Sequence, residues 1–146
     1  MDWSALPDEK SKRFIAVLNK KVEVGRLMNA LGHMTAGLAG KIGNADEMCF
    51  LDYKDKDSGS HPGISQFGFI VLAADNSNQI RTVRNEALRR GIAFTDFTST
   101  MTVGTSREQV ESTAAAEEAD LEYYGITLFG NSNDLKEFTG KFSLFK

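Results

Sequence analysis

The chain has 146 residues, 41% of them apolar and 25% charged, enough for one domain with a real core and too few for two of ordinary size. A formal net charge of −3 argues against a broad basic surface that would hold a polyanion by counterion release, so a nucleic-acid partner is not expected. The single cysteine, Cys49, excludes an internal disulfide framework and lies in the apolar run "EMCFL", which suits a reducing compartment, the cytoplasm.

Residues 1–11 form a polar arm that is acidic before it is basic and has no apolar leader core. The longest apolar run, "GFIVLAA", is far below the roughly 18 to 20 residues of a spanning helix, so no membrane partner is expected. "RFIAVLN", 13–19, reads as a buried strand, and a helix follows over about 23–39 with Val24, Leu27, Met28, Leu31 and Met34 recurring at helical spacing. Gly37, Gly40 and Gly43 make its continuation unfavourable. "EMCFLDY" is a plausible strand, and 54–65, "KDKDSGSHPGIS", reads as a loop with Gly59, Pro62 and Gly63 as breakers.

"QFGFIVLAA", 66–74, is the clearest buried strand. Capping oxygens at 75–77 then open a helix whose apolar stripe is Ile80, Val83, Ala87 and Leu88, closed by Gly91, with arginines on its other face. In "IAFTDFT" Ile92 and Phe94 fall on one side of a strand and Ala93 and Thr95 on the other, with its end expected near Asp96. Thr105 and Glu108 spell a capping box that opens an acidic, alanine-rich helix over 106–121, and the stretch 107–122 alone carries a net charge of −5. "YGITLFG", 124–130, is the last strand, followed by a short helix with Leu135 and Phe138 facing inward. Strands alternating with helices predict a single α/β domain over 1–146. The expected form is a three-layer sandwich with a mixed, mostly parallel sheet of four to five strands and helices on both faces.

Two stretches carry the candidate chemistry. Arg26, Asn29 and His33, spaced by three and four residues, share one face of the first helix beside the small residues Gly25, Ala30 and Gly32. By spacing alone that face reads first as solvated surface, with small residues for helix packing and His33 half-buried and hydrogen-bonded, and only second as a site. "DFTST", 96–100, leaves the carboxyl end of a strand, where ligands of open α/β sheets bind and where the first helix begins, so the side chains of Arg26 and Asp96 are expected to meet. Its polar residues are also ordinary turn and capping types. The loop "GSHPGIS" adds His61 as part of a cover over that region. With two histidines and one cysteine in a strand, no metal-ligand spacing occurs, and no cofactor is expected.

The stretches "FIAVLNK", "VGRLMNALGHMTAGL", "GISQFGFIVLAADNSNQIRTVRNEAL", "GIAFTDFTSTM" and "DLEYYGITLFG" resemble the bacterial family catalogued as domain of unknown function two thousand, over nearly the whole chain. More distantly, the first helix and the two ends resemble the archaeal and eukaryotic type of peptidyl-tRNA hydrolase. That second resemblance implies a peptidyl-tRNA hydrolase II-like fold and a site in which Gly25 and His33 match a Gly-Lys pair and a histidine of the first helix. Arg26 stands in for the lysine, and Asp96 and Thr100 reproduce an aspartate followed four residues later by threonine. It also marks 102–122 as an acidic insertion. The chain departs from that pattern: arginine is a poor proton donor, Ala30 replaces a glutamine, and Thr98 replaces a glycine.

Three functional expectations follow. In the first, a small anionic ligand is held by Gly25, Arg26, Asn29, His61 and Thr100, with His33 and Asp96 as the catalytic pair of a hydrolase-like reaction. In the second, the protein is a non-catalytic module, with Trp3 and the tail "KFSLFK" covering a neighbouring subunit of a homodimer. In the third, ranked last, it is a true peptidyl-tRNA hydrolase.

Overall fold

The computed structural model of the chain describes all residues, 1–146. Strand β1 (Lys12–Asn19) is followed by helix α1 (Val24–Ile42), the single turn α2 (Ala45–Met48), and strands β2 (Phe50–Lys54), β3 (Ser60–Ser65) and β4 (Gly68–Ala74). Helix α3 (Ser77–Arg90), strand β5 (Ala93–Thr98), helix α4 (Ser106–Ala115), strand β6 (Tyr123–Asn131), helix α5 (Ser132–Thr139) and strand β7 (Ser143–Leu144) complete the chain.

Five strands form one sheet in the order β5-β6-β1-β4-β7. Its centre is β1, whose continuous apolar run is buried on both faces, as a central strand requires. Phe14, Ala16 and Leu18 face α1, and Ile15 and Val17 face α3 and α5. Leu27, Ala30, Met34 and Leu38 of α1 thus cover one side of the sheet, and Ile80, Val83, Ala87 and Leu135 the other. Helices on both faces and a mixed five-stranded sheet agree with the sequence reading.

The expected parallel character does not hold. Only β1 and β4 pair in parallel, while β1 with β6, β5 with β6, and β4 with β7 are antiparallel. The cause is the return of the chain through the acidic segment, which brings β6 down between β1 and β5.

Local chemistry explains most element ends. Helix α1 runs through Gly37 and Gly40 and stops only at Gly43, which takes the left-handed conformation (φ 68°) of a helix C-cap. Asn76 accepts from the Gln79 amide to open α3, and Thr105 and Glu108 form the expected capping box of α4. Helix α4 ends at Ala115, short of 121, and Leu88 stays 53% exposed outside the core stripe of α3.

Of residues 54–65, only 55–59 form a loop, and Ser60–Ser65 are strand β3. Asp55 accepts hydrogen bonds from the Asp57 and Gly59 amides and holds a tight connection between β2 and β3, which pair as a separate two-stranded hairpin. In the tail, Leu144 pairs with Leu72, and the Phe145 amide donates to the Val71 carbonyl at 2.9 Å. It covers an edge of its own sheet, while Trp3 stands exposed in a short turn.

Candidate functional site

A groove of about 960 Å³ opens at the end of the sheet where β1 and β5 terminate. One wall is the first half of α1, with Gly25, Arg26, Asn29 and His33 lining it and Met34 beneath. The other is the segment from Met101 to Ser106 with Gln109, and Thr95, Asp96 and Phe97 of β5 lie between. The helical period alone places Arg26, Asn29 and His33 on one exposed stripe while Leu27, Ala30 and Met34 pack inward.

The groove is set on a rigid floor. Thr95 Oγ1 donates to the Met34 carbonyl at 2.7 Å and shares a 2.6 Å hydrogen bond with Thr127 Oγ1, so α1 is tied to two strands at once. A Cβ on Gly125 would lie 2.8 Å from Leu18 Cδ2 and 2.9 Å from Met34 Cε, so the close approach of α1 to β6 needs a glycine there. The His33 ring stacks over buried Phe97, with centroids 6.1 Å apart and planes 26° apart, which leaves its nitrogens free for a ligand.

Charge in the groove is one-sided. Arg26 makes no ion pair, whereas Arg81, Arg84, Arg89, Arg90 and Arg107 all meet carboxylates. Glu108, the acidic residue nearest the opposite wall in sequence, accepts from the Thr105 hydroxyl and amide in its own cap. The N-cap residue of α1, Glu23, makes no side-chain capping bond; the Arg26 amide donates to the Glu23 carbonyl at 3.0 Å, and the Val24 and Gly25 amides are left to solvent or ligand.

The expected meeting of Arg26 with Asp96 does not occur. Thr95 and Phe97 face α1, so strand alternation turns the Asp96 side chain to α3, where Arg84 Nε donates to Oδ2 at 2.9 Å. That carboxylate is 16% exposed and is spent on the ion pair. Thr100 does not line the groove either: its hydroxyl links Thr98 Oγ1 and Thr113 Oγ1, each at 2.7 Å, and so joins β5 to α4. His61 lies on β3, with Nε2 2.9 Å from Asp55 Oδ2. The hairpin follows the far end of α1, a 19-residue helix about 28 Å long, and is not a cover for the first turn. The His61 ring holds the Asp55 carboxyl below the usual carboxylate range, aided by the Gly59 amide.

The structure thus brings together Gly25, Arg26, Asn29 and His33, and separates Asp96 Oδ, Thr100 and His61 from them. Sequence reasoning missed Phe97 as the platform for His33 and the stretch 101–106 as a wall. The alternation already read at Phe94 and Thr95 contained the signal for the first. The second had none, because an irregular segment without periodicity carries no facing information.

A family model described as a protein of unknown function (DUF2000) matches residues 12–146. No curated protein matches the chain. A solved structure of a protein of unknown function from Agrobacterium tumefaciens is 16% identical, covers 93% of this chain and 98% of its own, and superposes with a TM-score of 0.79. At that identity the likeness bears on the fold alone.

Proposed function

The chain belongs to the DUF2000 family of proteins of unknown function, and from that premise we propose that its groove binds a small anionic ligand. The carrying observation is Arg26, the one cation turned into the groove without a carboxylate partner. A guanidinium offers a planar fork of donors that matches a carboxylate or phosphate, and Asn29 adds an amide on the same stripe. The uncapped first turn of α1 contributes partial positive charge at the same place.

Hydrolase-like chemistry at this site assigns the proton exchange to His33 alone, with Arg26 and the helix amides stabilising a developing oxyanion. Asp96 takes no part, because its carboxylate is held by Arg84 on the other face. We propose further that the fold is a single peptidyl-tRNA hydrolase II-like domain that works in the cytoplasm. It is supported by the Gly25 and His33 match and by the helices on both faces of the sheet. Nucleic acid is disfavoured, because the chain that leaves the groove wall at Ser106 carries a net charge of −5 over 107–122.

Titration with inorganic phosphate and with acetate, followed by amide chemical shifts, tests the reading. The account predicts saturable shifts at Gly25, Arg26 and Asn29 that vanish in Arg26→Ala; shifts unchanged by that substitution would overturn it. A second reading, a non-catalytic homodimeric module, is favoured by the exposed Phe50, Tyr53 and Ile64 of the hairpin. A dimer that dissociates on Ile64→Asp is its expected signature.

A further inference from the structure

The hydrogen-bond phase of the sheet fixes which backbone groups of β5 face outward. The Lys20 amide donates to the Ala74 carbonyl, so even-numbered residues at the end of β1 bond to β4 and odd-numbered ones to β6. Ile15 and Val17 stand opposite Leu128 and Ile126, which leaves Gly125, Thr127 and Phe129 of β6 to bond to β5. Their β5 partners are Phe97, Thr95 and Ala93. Phe94 and Asp96 therefore point their N–H and C=O groups away from the sheet, at its open edge.

Exposed edges are ordinarily blunted, and this one is blunted on both sides of a single residue. Lys41 Nζ donates to the Phe94 carbonyl at 3.2 Å, and the register shift between Phe97 and Thr98 ends regular pairing. No loop or side chain takes up the Asp96 N–H or C=O, and Asp96 lies between the two walls of the groove. Because its side chain is turned to Arg84, the groove meets this residue through its backbone.

We propose that the groove takes a short extended peptide with a free carboxylate, which adds as a strand at Asp96 while Arg26 holds the carboxylate. This deepens the anion-site reading and rests on it. One peptide residue exchanges both main-chain hydrogen bonds with Asp96, as in an antiparallel pair. The three β5 residues of the groove span about 10 Å, room for a tripeptide segment. Met101 and Val103, the latter 72% exposed on the rim, suit the apolar side chains that a strand projects to one side.

The probe is N-acetyl tetra-alanine with a free C-terminal carboxylate, compared with its C-terminal amide and with the acid N-methylated at alternate peptide nitrogens in both registers. Calorimetric titration gives affinity, and the Asp96 amide shift reports the edge. The expected result is binding weakened about tenfold or more by amidation, by Arg26→Ala and by N-methylation in one register, with a large Asp96 shift for the parent peptide. Equal binding of every N-methylated acid would overturn strand addition and leave the anion site standing. Arg26-dependent binding of phosphate and acetate without peptide binding would do the same. A dimer that occupies the Asp96 edge would overturn it too, by assigning the edge to a second copy. Loss of phosphate and acetate binding as well would remove the anion site itself.

Discussion

Arg26 and Asp96 show how one arginine becomes available and another does not. Both regions carry arginine, but Arg84 and Asp96 satisfy each other at 2.9 Å, whereas Arg26 faces a wall of hydroxyls, amides and apolar groups. Because Arg26 is exposed and contributes nothing to the core, Arg26→Ala is predicted to change stability by no more than about 0.5 kcal/mol while removing anion binding. Thermal unfolding and phosphate titration on the same sample separate the two effects. Gly125→Ala is predicted to act the opposite way, costing about 1 to 3 kcal/mol in urea unfolding, because Leu18 and Met34 must give way to the added methyl. Of the site, the helix stripe was legible because a period of 3.6 residues fixes direction once a helix is recognised. The Asp96 orientation was legible in principle, since it shares a side with Phe94, and was obscured by the attraction of pairing opposite charges at one end of the sheet.

Helices α3 and α5 are joined by charge at the element scale. Glu86 accepts from Arg89 and Arg90 of its own helix, and Arg90 reaches Glu137 of α5 at 2.6 Å. The two arginines hold the Glu86 carboxyl down at about 2, against an ordinary value of 4.5. A depressed native value means that the ionised carboxylate stabilises the fold at and above pH 4.5. That contribution fades as the pH falls toward 2. Glu86→Gln is therefore predicted to flatten the acid limb of stability between about pH 4.5 and 2, read by urea midpoints at several pH values, with the difference reduced by added salt. Strand β2 was legible in "EMCFLDY", but its partner β3 was not. Gly59, Pro62 and Gly63 signal breaks, and the pairing depends on Asp55 folding the connection back. His61→Ala is accordingly predicted to leave phosphate affinity unchanged, since the ring serves Asp55 and does not line the groove.

For the whole molecule, topology decides what the groove is made of. Alternation of strands and helices announced an α/β sheet with helices on both faces, but not strand order, because a crossover leaves no mark on local periodicity. Placing β6 antiparallel between β1 and β5 makes β5 an edge, and the return through α4 supplies the second wall. The opposite edge is closed near Leu72 by the chain's own tail. No helix is long and apolar enough to cross a membrane.

Whether Arg26 holds an anion in this groove is read from native mass spectrometry of gently purified protein beside its Arg26→Ala variant. An anionic adduct is expected on the parent and not on the variant; an adduct of equal occupancy on both proteins would show that Arg26 does not hold it.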